Sequence, residues 1–188
     1  MITIQPLLSF DAARLGELIA GYVSDERYAV ERVEGEAETT FALRLERLPA
    51  PYHKTFTSDE AEIERYREVA QMGYSLGAWE AGRWVGVALA EPHLWNHTLW
   101  VWEFHIAPQS QGGGVGRALM QALIARAESA GLRALVCETQ STNVPAIRFY
   151  RRLGFHLDGI DLSYYTNQDY PHGEMAIFMK RQIGFKPG

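Results

Sequence analysis

Cysteine is almost absent from the 188 residues: Cys137 stands alone. One thiol excludes an internal disulfide and any cysteine-rich zinc site. Long apolar runs are missing as well. No stretch approaches the roughly 18 consecutive apolar residues of a membrane-spanning helix. Met1 to Phe10 has neither a basic start nor a long apolar segment, so no signal peptide is expected. Positive charge is in deficit, with 18 Lys plus Arg against 23 Asp plus Glu and a net charge of −5. That balance argues against nucleic acid or an anionic membrane as the main partner and leaves room for a cationic one. There is no internal repeat and no low-complexity segment. What remains is globular, at 47% hydrophobic and 22% charged residues. The expectation is a soluble cytoplasmic protein of one domain, long enough to bury a core without metal or disulfide.

Periodicity predicts the elements. Ile2–Gln5 reads as a short strand. Asp11–Tyr22 reads as a helix, with Leu15, Leu18, Ile19 and Tyr22 at helical spacing. Between Arg27 and Phe56 the pattern is β-like and acidic, an expected insertion or arm. Its strands are placed at Tyr28–Val33 and Thr39–Leu45, and Pro49 and Pro51 should then break regular structure. Ser58 is the expected N-cap of a helix running to about Gln71. Tyr74–Trp79 and Arg83–Glu91 read as a hairpin. Thr98–Ala107 reads as a strand with Trp100, Trp102, Phe104 and Ile106 on one face and Leu99, Val101, Glu103 and His105 on the other. A glycine-rich loop follows, then a helix ended by Gly131, a strand at Leu135–Thr139, a helix at Asn143–Leu153, and strands at Phe155–Gly159 and Met175–Lys180. From about Trp79 onward the order is β-β-β-α-β-α-β-β.

Strand, proline turn, Gln111-Gly112-Gly113-Gly114-Val115-Gly116 and helix follow one another in the middle of the chain. Several glycines before a helix let backbone N–H groups approach an anion, and the helix terminus adds partial positive charge. Glycine suits the loop because a Cβ would block the approach or forbid positive φ. A Walker loop would need Gly-Lys-Ser or Gly-Lys-Thr, and Arg117-Ala118 stands there instead. A dinucleotide fingerprint would follow the first strand of its unit, whereas several strands precede this loop. A plain flexible loop is the remaining reading.

A second motif lies about 30 residues on. Asn143-Val-Pro-Ala146-Ile-Arg-Phe149-Tyr150-Arg-Arg-Leu-Gly154-Phe155, taken with Gln111–Gly116 and Arg117-Ala118-Leu119, resembles the paired signatures of the GCN5-related N-acetyltransferases. The resemblance covers about residues 74 to 181. Within that family the similarity runs to the streptothricin and nourseothricin acetyltransferases. It is carried by Trp95-Asn96, Ile106-Ala107-Pro108, Gly159–Tyr165, Gly173–Ala176 and, more weakly, Pro51–Phe56.

The resemblance implies an α/β fold with a central mixed, mostly antiparallel sheet flanked by helices, whose splayed strands hold acetyl-CoA. It implies an acetyl-CoA-dependent N-acetyltransferase that acts by direct attack of an amine, with no metal. The acceptor expected first is a cationic small molecule of streptothricin type. Protein N-termini or lysines, and polyamines, are the alternatives. A CoA-binding regulatory module without turnover is the alternative of another class. A homodimer is possible, since relatives often dimerise.

Residue by residue, Gly112, Gly113, Gly114, Val115 and Gly116 would hold the pyrophosphate with Gln111. Arg117 would pair with a phosphate, and Ile106 and Ala107 would offer backbone groups to the pantetheine arm. Tyr150 would protonate the leaving thiolate, which a phenol can do because its ordinary pKa of about 10 lies above that of a thiol. Asn143 lies two helical turns before it and shares its face toward the cofactor. Glu103 is a candidate base or amine anchor. His105, on the same strand face, is the other candidate base; relatives often carry a second acidic residue at its position. Glu138 would hold a cationic substrate, and Trp102 could add a cation–π contact within an aromatic patch of Trp95, Trp100, His93 and His97. Cys137 reads as packing.

Overall fold

The computed structural model describes residues 1–19 and 21–184. The chain packs as two compact units. Among the described residues, one is built from residues 1–19, Phe56–Cys137 and residues 181–184; the other is built from Gly21–Thr55 and Glu138–Lys180.

The first unit holds β1 (Ile2–Pro6), α1 (Ala12–Leu18), α2 (Glu60–Gln71), β4 (Leu76–Glu80), β5 (Arg83–His93), β6 (Thr98–Ile106), α3 (Val115–Ser129) and the first residues of β7 (Ala134–Gln140). Its strands lie in the order β1-β4-β5-β6-β7. The first three pairings are antiparallel, and β6 with β7 is parallel. The core is apolar side chains from every layer, with Leu15, Val69, Val87, Leu89, Leu99, Leu119, Leu123 and Leu135 fully buried. Each such side chain contributes about 1.5–3 kcal/mol of transfer free energy. On α3, Val115, Leu119, Met120, Leu123, Ile124 and Ala127 form the buried stripe. Gly131, at φ +71°, ends it in a left-handed turn where Leu132 N bonds back to Ala127 O.

The second unit holds the ribbon of β2 (Tyr22–Glu34) and β3 (Thr39–Lys54), the end of β7, α4 (Val144–Arg152), β8 (His156–Asp161) and β9 (Ala176–Gln182), which runs into the first unit at its last residues. The strands β8 and β9 pair antiparallel. Ile147, Phe155, Met175, Ile177 and Met179 are fully buried. The ribbon is amphipathic. Tyr28 and Val30 lie opposite Leu45 and Leu43 on one face; on the other, Arg27 lies opposite Glu46, and Glu31, opposite Ala42, pairs on the diagonal with Arg44 at 3.5 Å. The expected α/β class with a mostly antiparallel sheet is therefore the observed one.

Four local expectations need correction. The first helix stops at Leu18, and Tyr22 begins a strand. Gly21 intervenes at φ +112°, where a helix cannot continue. Asp59, not Ser58, caps α2, its Oδ1 accepting from Glu62 N at 2.8 Å. β3 continues past Pro49 and Pro51, yet the ladder jumps from Glu26↔Arg47 to Ser24↔Tyr52 and skips both prolines, which have no N–H to give. Finally, β6 does not alternate throughout. Leu89 pairs with Glu103 and Ala90 with Val101, so Trp102 is an extra residue in a β-bulge.

Gly21 offers a direct test of the ribbon's base. A Cβ there would lie 1.9 Å from the carbonyl oxygen of Lys54, and φ is positive. Gly21→Ala should lower stability by about 2 kcal/mol or more, read as a fall in the urea midpoint at unchanged m-value.

Candidate active site

In the first unit the bulge at Trp102 is followed by Glu103 and His105. The i, i+2 spacing brings Glu103 Oε2 within 2.5 Å of His105 Nε2. The other carboxylate oxygen, Oε1, accepts from the hydroxyl of Tyr66, a buried residue of α2. That hydroxyl also lies 2.9 Å from Glu62 Oε1, one turn earlier on the same helix. Burial, with Glu103 and Glu62 beside it, pushes the Tyr66 phenol far above its ordinary range, so it remains a donor. The ring of Phe56 meets the His105 imidazole edge-on at 6.0 Å.

Trp102 is 39% exposed, and its indole N–H donates to Glu91 Oε2 at 2.8 Å. Arg65 reaches the same oxygen at 2.5 Å and sits 5.8 Å from the Trp102 ring centroid. Burial alone would raise the Glu91 carboxyl. The bonds from Trp102 and Arg65 outweigh it and hold the group below the ordinary range.

After β6 the chain turns through Pro108–Ser110 into the glycine loop. The loop is tied back to the strand end. Ser110 N donates to Ala107 O at 2.8 Å, and Gln111 Nε2 donates to Ile106 O at 3.0 Å. Ala107 N donates to Val85 O, so both Ala107 backbone groups already have partners, its carbonyl keeping a second lone pair. Gly112 and Gly114 sit at φ +76° and +88°, and a Cβ on either would meet nothing within 4 Å. The backbone path demands glycine there, and the space before it is open. Gly114 is the N-cap of α3 and supplies no side-chain acceptor. The first-turn N–H groups, which no helical carbonyl can reach, are those of Val115, Gly116 and Arg117. Arg117 is exposed and forms no ion pair with a described residue. The parallel ladder of β6 with β7 ends at Val101↔Cys137, while β6 runs on to Ile106.

In the second unit Asn143 caps α4, its Oδ1 accepting from Ala146 N at 3.2 Å. Tyr150 is buried on that helix, with ring centroids 5.6 Å from Phe149 and 5.5 Å from Phe155. Glu138 Oε1 accepts from the Tyr165 hydroxyl. Burial first, and Glu138 second, raise the Tyr165 phenol well above its ordinary range. The backbone of Tyr165 is held by Asp169, whose Oδ2 accepts from Tyr165 N at 2.8 Å and Thr166 N at 3.0 Å. A separate cluster surrounds Glu174. Thr142 and Tyr22 donate to its Oε1 at 2.6 and 3.0 Å, and Lys54 donates to its Oε2.

Within the first unit the structure thus joins Glu103 to His105 and links Trp102 to a carboxylate. Within the second it joins Glu138 to Tyr165 and gives Asn143 a capping role. Sequence reading missed Tyr66, Glu62, Arg65, Tyr22, Lys54 and Glu174 as polar partners. Tyr66 carried no signal, because a buried aromatic on a helical stripe reads as core. Lys54 and Glu174 did lie within the segments quoted for resemblance. Among the described residues no group of three or more His, Cys, Asp or Glu could hold a metal ion. No helix there is long and apolar enough to cross a membrane.

Comparison with known proteins gives this arrangement a context. The model of the acetyltransferase (GNAT) family matches residues 38–155. The streptothricin acetyltransferase of Streptomyces lavendulae is 32% identical over 142 residues, covering 74% of this chain and 75% of that protein. The [ribosomal protein bS18]-alanine N-acetyltransferase of Escherichia coli K12 is 33% identical over 159 residues, covering 77% of this chain and 97% of that protein. The crystal structure of nourseothricin acetyltransferase superposes with a TM-score of 0.74 at 26% identity, covering 97% of this chain and 99% of that one. Two other structures of the fold, with TM-scores of 0.74 and 0.57, were solved with acetyl-CoA bound. The chain belongs to the GNAT family. It is an acetyl-CoA-dependent acetyltransferase.

The Glu174 cluster carries a pH prediction. Burial would raise this carboxyl, but the bonds from Lys54, Thr142 and Tyr22 hold it below the ordinary value of 4.5. A carboxyl lowered by folding stabilises fully above its unfolded pKa, and the contribution is lost as pH falls through the folded value. Glu174→Gln should therefore be less stable than the parent by about 1–3 kcal/mol at pH 7. The gap should narrow as pH drops below about 4, as read by urea titrations across that window.

Proposed function

We propose that the enzyme transfers the acetyl group of acetyl-CoA to a primary amine of a cationic small molecule of streptothricin type, by direct attack of the amine on the thioester. The observation that carries this reading is the Glu103–His105 pair at 2.5 Å, placed on β6 immediately before the glycine loop in the chain. An ammonium must lose a proton before it can attack, and this pair supplies both an anion to attract it and an acceptor for the proton. Support for the substrate class comes from the similarity to streptothricin acetyltransferase and from the acidic balance of the chain.

The other roles follow the chemistry of the groups. Backbone amides of Gly112–Gly116 and the α3 terminus would bind the pyrophosphate, with Arg117 as an added cation. Ile106 would meet the pantetheine arm through its backbone, as an added strand does. Tyr150 would protonate the departing thiolate, with α4 fixed at its start by Asn143. Glu138 in the second unit and Trp102 in the first are each a candidate contact for a cationic acceptor. A second reading, acetylation of a protein N-terminus, is favoured by the similarity to the bS18-alanine enzyme over nearly that protein's full length.

The test is CoA thiol release with acetyl-CoA against streptothricin, aminoglycosides, polyamines, basic peptides and an Ala-terminated peptide. Release with streptothricin above the rest is expected. Release with the peptide alone would select the second reading. CoA binding with no release on any amine would point to a module without turnover. In single-turnover assays Tyr150→Phe should slow the chemical step by about 10²-fold or more; an unchanged step removes its acid role.

A further inference from the structure

Each oxygen of the Glu103 carboxylate contacts a neighbouring side chain. Its Oε1 receives the Tyr66 hydroxyl, and its Oε2 stands 2.5 Å from His105 Nε2. An ionised carboxylate has no proton to give, so the hydrogen in the second contact belongs to Nε2. A neutral imidazole protonated on Nε2 keeps its lone pair on Nδ1. Phe56 packs edge-on against the same ring, at 78° between planes, and limits its tilt. Tyr66 has one proton and two carboxylates near it. Both Glu103 and Glu62 lie within its hydrogen-bond reach, and the arrangement proposed below gives the proton to Glu103. Tyr66 is 4% exposed and sits on a regular helix, so its hydroxyl is a fixed point against which the carboxylate is set.

Resting on the amine-acetyltransferase reading, we propose that His105 takes the proton of the attacking amine through Nδ1, with Glu103 as the carboxylate that orients the ring and Tyr66 as the positioning residue that holds Glu103. Tyr66 thereby acts through another group and does not touch the substrate. The substrate ammonium gives one N–H proton to Nδ1, and His105 becomes an imidazolium whose charge Glu103 faces. The neutral amine nitrogen then forms the C–N bond to the thioester carbonyl carbon. The C–S bond breaks, and its electron pair leaves on sulfur. The second N–H proton of the former amine ends on the thiolate, which leaves the neutral amide and the CoA thiol. His105 returns its proton to water. One ammonium and one acetyl-CoA give one amide, one CoA thiol and one proton.

Two measurements decide it. The first needs no turnover: 15N NMR of histidine-labelled protein, with His105 identified by its loss in His105→Asn. Nδ1 should be the unprotonated nitrogen in the parent protein. Tyr66→Phe, which removes only the hydroxyl, should produce a mixture of tautomers. A parent protein protonated on Nδ1, or a Tyr66→Phe spectrum identical to the parent's, overturns the inference even if no acceptor is ever found. The second is kinetic, on whichever amine releases CoA fastest. His105→Ala should lose about 10²- to 10³-fold in kcat with little change in KM for acetyl-CoA, and imidazole in the buffer should restore part of it. Tyr66→Phe should lose about tenfold in kcat. A His105→Ala enzyme at parental kcat, or one not rescued by imidazole, overturns His105 as the acceptor while leaving the acetyltransferase reading intact. If the parent releases CoA on no amine, that reading fails, and the NMR result still decides the dyad.

Discussion

A single unpaired residue in β6 governs what the rest of the first unit can do. A regular ladder would give every backbone group of the strand to its neighbours and leave its side chains in strict alternation. At Trp102 the ladder to β5 slips by one residue, and one position earlier the ladder to β7 reaches its last pair. Pairing therefore changes on both sides of β6 at the same place. The strand continues for four residues beyond that point, through Glu103, His105 and Ile106. Those positions carry the carboxylate and the imidazole proposed above to serve an acceptor amine, and a strand end that β7 no longer pairs. Bulges re-aim side chains and interrupt pairing without unfolding a sheet. Here buried Leu99 and Val101 before the bulge, and buried Leu89 of β5 opposite Glu103, keep the strand anchored.

As the proposed pyrophosphate site, the glycine loop would resolve an electrostatic problem that the net charge poses. Acetyl-CoA is a polyanion, and the chain carries a charge of −5. A basic surface would attract the cofactor but repel a cationic acceptor. Backbone N–H groups at a helix start bind anions through local dipoles, whose field fades within about one turn. The loop's tie to Ile106 O through Gln111 matters in the same way, because it fixes where those dipoles point relative to the strand end. Anion binding and cation binding can then coexist in one small protein, each handled at short range.

Much of the order of elements was legible because periodicity and glycine placement are local signals. The α3 stripe, the Gly131 stop and the β4–β5 hairpin all follow from spacing. What failed did so for physical reasons that single residues do not announce. Tyr22 fits a helical stripe, but Gly21 at φ +112° turns the chain just before it, and Tyr22 then pairs with Lys54 in the ribbon. Pro49 and Pro51 do break pairing, but the strand survives because the ladder skips them. The bulge at Trp102 is invisible in an alternating sequence, since one extra residue in register leaves the pattern of types intact. The glycine loop, Glu103 and His105 were readable from residue type and order. Tyr66 was not, because its role depends on a partner 37 residues away.

That partner choice is what distinguishes the carboxylates from one another. Glu91 is held by Arg65 and Glu174 by Lys54, so each is largely neutralised by a cation. Glu103 and Glu138, the two proposed to face a cationic acceptor, are instead held by the hydroxyls of Tyr66 and Tyr165. A phenol fixes a carboxylate by hydrogen bonding and adds no positive charge. Burial raises both phenols far above their ordinary range, so neither competes for the negative charge by ionising. A lysine or arginine in either place would orient the carboxylate equally well and cancel the field that an approaching ammonium responds to. On the reading proposed above, the Tyr66 hydroxyl would fix the geometry of Glu103 without adding a cation beside it. The acidic excess of the sequence would then act as a local attraction at particular oxygens.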